Sequence, residues 1–545
     1  MEGLYIYYLA ISRWLIPLLS VMLVFCWIKY YRDCKEPLKI LAGLTTSDGV
    51  NIPITGKENI IGRGKRADIL IPLKSVKTKH ALLFVKGGRW HLAPVEGKVQ
   101  INLQTLSQPA PLDYGDKITI SKQELTFKRA VDSKHTFKIP GAWLCLLILT
   151  VIQLLVLCQI LLRFGKEAHL FVAVAFALLI AGEWLYYIIG RLIKRFAFIF
   201  ELPALFLITF GLAVNCCVYP DQLIKQTACH LVGLLLYLIF TFVLRYPEFL
   251  EKCRYVFMAV TLALLYYTAF FGSILGGAQN WLTISGFSFQ PSELCKVAFV
   301  VCGASSLYSI ICRPKLKWEF FVFSVLCLGA LAIMYDFGAV AIFFVGMLMV
   351  LSLRLMHPGI ITAITGAAAL GGMSLLLFFP HVTRRFSVWL HAWDFADSTG
   401  YQQTRTMIAS ASGGLLGVGG GNGHLAPVSA SDSDLVFGIV SEEWGAIIAI
   451  TLALCFAALG MYAYRLAKNA DSAFYSIAVL SSAVMIIFQA GLNIFGSLDL
   501  LPLTGVTLIF VSRGGTSIIS AWLMLSLFKA AEIHKKEISP WRYEE

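Results

Sequence analysis

The sequence contains few charged residues for its length. Only 14% of the 545 residues are Asp, Glu, Lys or Arg, whereas 58% are hydrophobic. A typical soluble domain has about 25% charged and about 45–50% apolar residues. So small a charged fraction cannot form a water-exposed surface around so many apolar side chains. The composition therefore excludes a soluble enzyme and indicates a polytopic membrane protein.

The sequence also lacks the patterns of several common functional sites. The 13 cysteines show no paired metal-ligand spacing, and most lie inside apolar runs, which is typical of small buried hydrophobic residues. No H-E-x-x-H zinc motif is present, and His381, His391 and His424 are scattered and expected at the surface. The glycine-rich stretch 413–423 does not satisfy G-x-G-x-x-G, so it favours a flexible backbone near a bulky ligand over a nucleotide site.

Long apolar runs account for most of the chain. The first, at about 14–28, is followed by basic residues and has no signal-peptide cleavage site, so it is predicted to be an anchor. Twelve later runs are each long enough to cross about 30 Å of hydrocarbon at about 1.5 Å per residue. These predicted spans are 141–162, 168–190, 197–219, 228–245, 255–275, 294–312, 318–335, 337–355, 359–380, 435–463, 474–497 and 504–530.

The net charge of +13 is distributed between the spans. If the segment after the anchor is cytoplasmic, most basic loops fall on the cytoplasmic side, as the positive-inside rule expects. The outer side then receives few basic residues, apart from a cluster of Arg384, Arg385 and Arg405 that membrane orientation does not explain. The positive charge therefore gives no reason to expect a nucleic-acid partner.

Residues 37–128 have a different pattern, with short alternating apolar runs separated by Gly and Pro turns. This pattern predicts a small cytoplasmic all-β sandwich.

The long outer segment 380–433 is the strongest candidate for a functional loop. Asp434 follows it at the mouth of the next span, which also carries Glu442 and Glu443. An acid opposite several arginines can deprotonate a substrate hydroxyl while the guanidinium groups hold a diphosphate. A merely solvated rim is the alternative for the loop charges, but two carboxylates within a span favour a polar or functional environment.

A second outer loop, 276–290, leads into a span that begins with ordinary helix N-terminal chemistry. Pro291 and Glu293 suit a first turn, and Lys296 at the i+3 position from Glu293 makes an ion pair feasible. Asp336 suits an N-cap of another span on the same side. Helix capping alone can account for these residues.

The segment from about 195 to 530 resembles the shape, elongation, division and sporulation (SEDS) family of FtsW, RodA and SpoVE. The motifs that carry the resemblance are Gly277-Ala278-x-x-Trp281 with Gln290-Pro291-Ser292-Glu293-x-x-Lys296, Asp336-x-Gly338, Gly400-Tyr401-Gln402, Ser412-Gly413-Gly414-Leu415-x-Gly417, Ser433-Asp434-Leu435-Val436-Phe437 through Glu442-Glu443-x-Gly445, and Leu501-Pro502-Leu503-Thr504-Gly505 through Ser512-x-Gly514-Gly515-x-Ser517. The resemblance implies a ten-span core and a peptidoglycan glycosyltransferase that polymerises lipid II on the outer face of the cell membrane.

The resemblance also implies roles for individual residues. Asp434 takes the position of the family's essential aspartate and would be the general base. The arginine cluster Arg384, Arg385 and Arg405, with Lys296, would stabilise the departing undecaprenyl diphosphate. The other residues expected to contact substrate are Gln290, Glu293, Trp281, Asp336, Glu443 and Ser512.

The sequence departs from the family pattern at three places. Val428-Ser429-Ala430 replaces the usual Leu-Pro-Glu, Asn280 stands where arginine is frequent, and Arg513 stands where tyrosine is frequent. The fold is therefore predicted more firmly than the substrate pocket.

The predicted β-sandwich resembles a forkhead-associated (FHA) domain, a reader of phosphothreonine peptides. The residues that carry this resemblance are Gly62-Arg63, Asp68-Ile69-Leu70-Ile71, His80-Ala81, Asn102 and Leu112-x-x-Gly115-Asp116-x-Ile118. By resemblance, Arg63 would hold the phosphate and Asn102 would orient the peptide backbone. Lys77 stands at the family's serine position, where it can attract phosphate as a point charge. A purely structural module is the alternative.

These features predict five segments: an anchor over 1–34, the FHA-like sandwich over 36–130, an extra pair of spans over 138–190, the SEDS-like core over 195–532 with its large extracellular loop 381–434, and a cytoplasmic tail over 533–545. The implied partners are lipid II, undecaprenyl diphosphate, a class B penicillin-binding transpeptidase, and a phosphothreonine protein with its Ser/Thr kinase. A divalent cation, Mg²⁺ or Mn²⁺, stays open as a cofactor. A lipid II flippase and a non-catalytic scaffold of the wall-synthesis complex are the alternative functions.

Overall fold

The computed structural model contains a bundle of long α-helices and a small all-β domain inserted after the first helix. It describes residues 2–34, 41–54, 56, 58–64, 67–86, 88–129, 141–164, 169–192, 197–275, 277–284, 287–308, 316–355, 358–378, 380–470 and 472–537.

The helices of these ranges follow the apolar runs of the sequence. They are α1 (Glu2–Asp33), α2 (Trp143–Phe164), α3 (His169–Leu192), α4 (Glu201–Val218), α5 (Leu223–Val243), α6 (Pro247–Phe271), α7 (Pro291–Tyr308), α8 (Leu316–Ile333), α9 (Phe337–Leu355), α10 (Pro358–Phe378), α11 (Pro380–Val388), α12 (Tyr401–Gly413), α13 (Val436–Lys468), α14 (Ala473–Ser497) and α15 (Gly515–Glu537). Four of them begin with proline, whose fixed φ suits a first turn and whose missing N–H is not needed there.

Nine helices of the described chain, α1 to α6 and α13 to α15, are long and apolar enough to cross a membrane. Shorter apolar helical stretches lie in α8, α9 and α10. The anchor and each of the twelve predicted spans overlap a helix. The predicted fold class, a polytopic α-helical membrane protein with a small all-β domain, is confirmed.

The predicted start of the last span, at 504, is wrong because α15 begins at Gly515. The segment 501–514 contains Pro502 and two residues with positive φ, Gly505 (+73°) and Phe510 (+67°), which do not fit a helix. Side chains bind its free carbonyl groups: Asn493 donates to Val506 at 2.7 Å, and Gln489 donates to the next carbonyl, that of Thr507, at 3.0 Å. Irregular backbone is tolerated in a membrane bundle where protein groups satisfy it in this way.

The all-β domain, called the β-domain below, spans residues 41–129. Its strands are β1 (Ala42–Thr46), β2 (Asn51–Ile54), β3 (Glu58–Gly62), β4 (Ile69–Leu70), β5 (Ala81–Lys86), β6 (Arg89–Pro94), β7 (Val99–Ile101), β8 (Gln104–Thr105), β9 (Ala110–Leu112), β10 (Lys117–Ile120) and β11 (Gln123–Arg129). They form two sheets with the orders β2-β1-β11-β10-β7-β8 and β4-β3-β5-β6-β9. Alternation buries Ile118 and Ile120 while Lys117 faces outward, as the strand period of two requires.

A small antiparallel sheet lies between α6 and α7. Its strands are β12 (Ser273–Leu275), β13 (Ala278–Ile284) and β14 (Phe287–Phe289). Trp281 pairs with Ser273 across β12 and β13.

Helix α4 lies at the centre of the bundle and is buried almost throughout its length. Its Glu201 accepts a hydrogen bond from the ammonium of Lys529 on α15 at 2.8 Å, and Lys529 also contacts Glu532 at 3.0 Å. Tyr186 of α3 and Tyr237 of α5 each donate to Glu201 at 2.8 Å. A buried carboxylate in a membrane bundle needs such partners, and here they join α3, α4, α5 and α15.

Candidate active site

Asp434 lies in the turn that leads into α13. Its N–H donates to the carbonyl of Ala430 at 2.9 Å, and Ala430 adopts a positive φ of +59°. The Asn493 amide on α14 donates to the carbonyl of Asp434 at 3.0 Å and to that of Val506 at 2.7 Å. One side chain of α14 therefore fixes the Asp434 turn against the segment 501–514.

The Asp434 carboxylate and the Arg385 guanidinium face the same small space beside Gly505. A Cβ atom on Gly505 would lie 3.5 Å from Asp434 Oδ2 and 3.9 Å from Arg385 Nη2. Arg385 Nη1 also donates to the carbonyl of Thr504 at 3.1 Å. A side chain at position 505 would therefore contact both the acid and the cation.

Burial raises the pKa of the Asp434 carboxyl to about 6. A hydrogen bond from Ser433 and the charge of Arg385 lower this pKa, and the negative charge of Asp432 raises it. A carboxyl whose pKa lies near neutrality is suited to accept a proton from a substrate hydroxyl.

Residues 512 and 513 hold the two residues before Asp434. Arg513 forms an ion pair with the buried carboxylate of Asp432, and its N–H donates to the Asp432 carbonyl at 2.9 Å. The Arg513 guanidinium also lies over the ring of Tyr219, 4.4 Å from its centroid. Ser512 Oγ donates to the Ser433 carbonyl at 2.5 Å. Arg513 was not among the predicted site residues, although the presence of arginine where the family frequently has tyrosine marked this position as unusual.

Lys296 and Glu293 form the ion pair that their spacing predicts, with Lys296 Nζ 2.8 Å from Glu293 Oε2. Both side chains are buried. The Lys296 ammonium also donates to Gln489 Oε1 at 2.6 Å, and Ser520 donates to Glu293 at 3.1 Å. Because Gln489 also binds the Thr507 carbonyl, this pair supports the segment that carries Gly505.

Asp336 caps α9, as predicted, by accepting the N–H of Ala339 at 3.0 Å. Its second oxygen accepts hydrogen bonds from Asn280 at 2.7 Å and Gln290 at 3.2 Å. Asn280, which stands where the family frequently has arginine, thus gives the Asp336 carboxylate a neutral partner. Trp281, the residue after Asn280 on β13, is half-buried.

The structure separates the members of the predicted arginine cluster. Arg384 and Arg385 are both exposed on α11, and Arg385 is the one whose charge acts on Asp434. Arg405 is exposed on α12, and its guanidinium lies over the ring of Tyr401, 5.0 Å from the centroid.

Glu442 and Glu443 organise residues 417–425, called the glycine loop below. The Glu442 carboxylate accepts the N–H groups of His424 at 2.8 Å and Leu425 at 3.0 Å. The Glu443 side chain is buried beside Gly421. It lies nine residues after Asp434, roughly 13 Å away along a helix. Sequence reasoning did not assign Glu442 this role, because its partners become neighbours only in the folded chain.

A family model described as "Cell cycle protein", for FtsW, RodA and SpoVE, matches residues 184–537, well over half of the chain. The chain belongs to the FtsW/RodA/SpoVE family. A second model, for the FHA domain, matches residues 59–121. The family segment begins within α3, so α1, the β-domain and α2 precede it.

Named relatives agree with this membership. The chain is similar to "Probable peptidoglycan glycosyltransferase FtsW" of Alcanivorax borkumensis, with 29% identity over 299 residues that cover 52% of this chain and 76% of that one. It is 30% identical over 273 residues to the protein of the same name from Saccharophagus degradans, covering 47% and 69% of the two chains.

A solved structure has the same fold as the family segment. It is described as "Structural coordination of polymerization and crosslinking by a peptidoglycan synthase complex". The TM-score is 0.53 with 22% identity, and the match covers 63% of this chain and 99% of the other.

In the β-domain, two of the three residues predicted to bind a phosphopeptide lie next to each other. Arg63 and Lys77 are exposed, and the Arg63 N–H donates to the Lys77 carbonyl at 2.9 Å. Asn102 has a φ of +49° in the β7–β8 turn. Its amide donates to Asp116 at 2.7 Å and accepts from Lys117 N at 3.0 Å, so both ends of the side chain are engaged within the β-domain.

Among the described residues, no group of three or more His, Cys, Asp or Glu side chains is arranged to hold a metal ion.

Proposed function

We propose that this chain is a peptidoglycan glycosyltransferase that polymerises lipid II on the outer face of the cell membrane during division, elongation or sporulation. The observation that carries this proposal is the pairing of Asp434 and Arg385 beside Gly505, within the motifs of a family whose curated members are named for this activity.

The proposed reaction uses the two charges in different roles. The 4-hydroxyl of an incoming lipid II sugar attacks the anomeric carbon of the growing glycan, and Asp434 accepts the hydroxyl proton. The bond from that carbon to the lipid diphosphate breaks, and the undecaprenyl diphosphate leaves as an anion. Arg385 stabilises the charge that develops on this diphosphate, which is an effective use of a preorganised cation.

The distribution of basic residues supports the proposed orientation. With the β-domain in the cytoplasm, most Lys- and Arg-rich loops face the cytoplasm and the segment 381–434 faces outward. The proposed base then lies on the side where glycan strands are assembled.

Two protein partners follow from the proposal. A class B penicillin-binding transpeptidase would cross-link the product. This is in keeping with the synthase complex that contains the chain of similar fold. Arg63 and Lys77 would hold a phosphothreonine peptide made by a Ser/Thr kinase, since adjacent basic groups attract phosphate.

The purified full-length protein, given labelled lipid II with penicillin to silence contaminating transpeptidases, is expected to make long glycan strands. No polymer, even with a transpeptidase partner present, would contradict the proposal. Leaflet-resolved accessibility of lipid II in vesicles separates a polymerase from a flippase, because a polymerase leaves that accessibility unchanged.

A further inference from the structure

The helices that precede the family segment contact the glycine loop. Tyr5, in the first turns of α1, accepts a hydrogen bond from the amide of Asn422 at 2.5 Å. Leu9, one turn further along α1, packs directly against Gly419. The N-terminal end of α1 therefore covers one part of the loop.

Helix α2 covers Gly420 and Gly421. Arg163 Nε donates to the carbonyl of Gly421 at 3.3 Å, and Phe164 packs against the same glycine. Gln159 accepts the indole N–H of Trp444 on α13 at 3.1 Å, and it packs against Gly420.

This packing explains why residues 419 and 421 are glycine. A Cβ on Gly419 would collide with Leu9, and one on Gly421 would lie 2.8 Å from the Phe164 ring. Both glycines also have positive φ, +100° and +77°, which other residues rarely adopt. Gly419 and Gly421 therefore allow α1 and α2 to pack closely against the glycine loop.

The opposite side of the glycine loop is fixed to α13. Val418 and Gly419 donate their N–H groups to the carbonyls of Glu442 at 2.9 Å and Glu443 at 2.8 Å. The loop is therefore held between the two accessory helices and the helix that follows Asp434.

A series of tight turns connects the glycine loop with Asp434. The N–H of Val428 donates to Leu425 at 3.0 Å, that of Ser431 to Val428 at 3.2 Å, and that of Asp434 to Ala430 at 2.9 Å. The glycine loop and Asp434 are therefore joined by a short backbone segment that these hydrogen bonds hold.

We propose that Tyr5 and Arg163 are positioning residues, through which α1 and α2 hold the glycine loop and thereby set the position of Asp434. The effect on polymerisation rests on the proposed function. In the chain, the β-domain lies between these two helices, α1 and α2.

The test compares Tyr5→Phe and Arg163→Gln, alone and combined, with the matched control Tyr8→Phe. Tyr8 lies on the same helix but donates to Leu155 of α2 at 2.7 Å. Full-length proteins in lipid nanodiscs are assayed for kcat and KM with labelled lipid II. The combined variant is expected to lose about tenfold in kcat at unchanged KM, because a misplaced base slows chemistry and not substrate binding.

Hydrogen exchange over residues 417–434 supplies a second readout, since loosened loops exchange faster. Faster exchange in the combined variant but not in Tyr8→Phe is expected. Unchanged exchange, or faster exchange with wild-type kcat, overturns the inference while leaving the proposed function intact. A wild-type protein without polymerase activity overturns the proposed function and the inferred effect on catalysis together.

Discussion

Arg385 and Asp434 meet beside Gly505, although Arg385 lies on α11 and Asp434 lies in the turn before α13. A Cβ atom at this position would contact both groups, 3.5 Å from the Asp434 carboxylate and 3.9 Å from the Arg385 guanidinium. A substrate hydroxyl and a leaving diphosphate need an acceptor and a cation in this kind of proximity.

Gly505→Ala is expected to lower polymerisation strongly and to destabilise the protein by about 1–3 kcal/mol, because the new methyl group enters this space at a φ of +73°. Gly366→Ala is the matched control, since Gly366 on α10 has open space around it. Polymerisation rate and thermal unfolding of both variants check the prediction. Wild-type activity in Gly505→Ala would contradict the assigned site.

The pH dependence of kcat/KM reports the protonation of Asp434. Burial raises its pKa from 3.8 to about 6, and a base works only when deprotonated, so activity should rise as pH increases through about 6. Arg385→Gln removes a charge that lowers this pKa, so the midpoint should move to higher pH. Arg384→Gln, an exposed neighbour, should leave the midpoint in place. A midpoint that does not respond to Arg385→Gln would argue against the pairing.

Arg513 and Asp432 form an ion pair, so the effects of replacing these two residues should be energetically coupled. Arg513→Gln leaves the buried Asp432 carboxylate without its cation, at an expected cost of about 1–3 kcal/mol and with slower polymerisation. Asp432→Asn combined with Arg513→Gln should recover part of the loss, because no unpaired charge remains. A double-mutant cycle on unfolding and rate measures this coupling, and strictly additive losses would refute it.

Local interactions near the site could be predicted from the sequence, because their partners are close in the chain. The Glu293–Lys296 ion pair and the N-cap of Asp336 are examples. The long apolar runs likewise predicted the helices. Residues 504–514 of the irregular segment 501–514 were predicted as part of the last span, because their apolar composition hides backbone that Asn493 and Gln489 stabilise from α14.

Pairings across the fold could not be predicted. Nothing near Arg385 in the sequence distinguishes it from Arg384 and Arg405. Tertiary packing decides which of these three arginines reaches Asp434. The role of Glu442 depends on contacts that form only in the folded chain. The packing of α1 and α2 on the glycine loop depends on contacts between residues that are hundreds of positions apart, such as Tyr5 and Asn422.

Phosphothreonine binding by the β-domain should depend on its two adjacent basic residues. Arg63→Ala in the full-length protein is expected to weaken a phosphothreonine peptide by about tenfold or more, and Lys77→Ala by less, because a guanidinium binds phosphate with better geometry. Arg89→Ala on β6 is the control for a lost exposed arginine. Binding by fluorescence anisotropy checks the prediction. Equal affinities for all variants would contradict the roles of Arg63 and Lys77, and no binding by the wild type would support a purely structural β-domain.

Asp434 is the proposed general base of glycan polymerisation. The most direct measurement compares purified Asp434→Asn with Asp397→Asn, which removes an exposed carboxylate from the same long segment. With labelled lipid II and penicillin present, Asp434→Asn should make no long glycan at wild-type levels of folded protein, whereas Asp397→Asn should match the wild type. Normal polymer from Asp434→Asn would contradict the account.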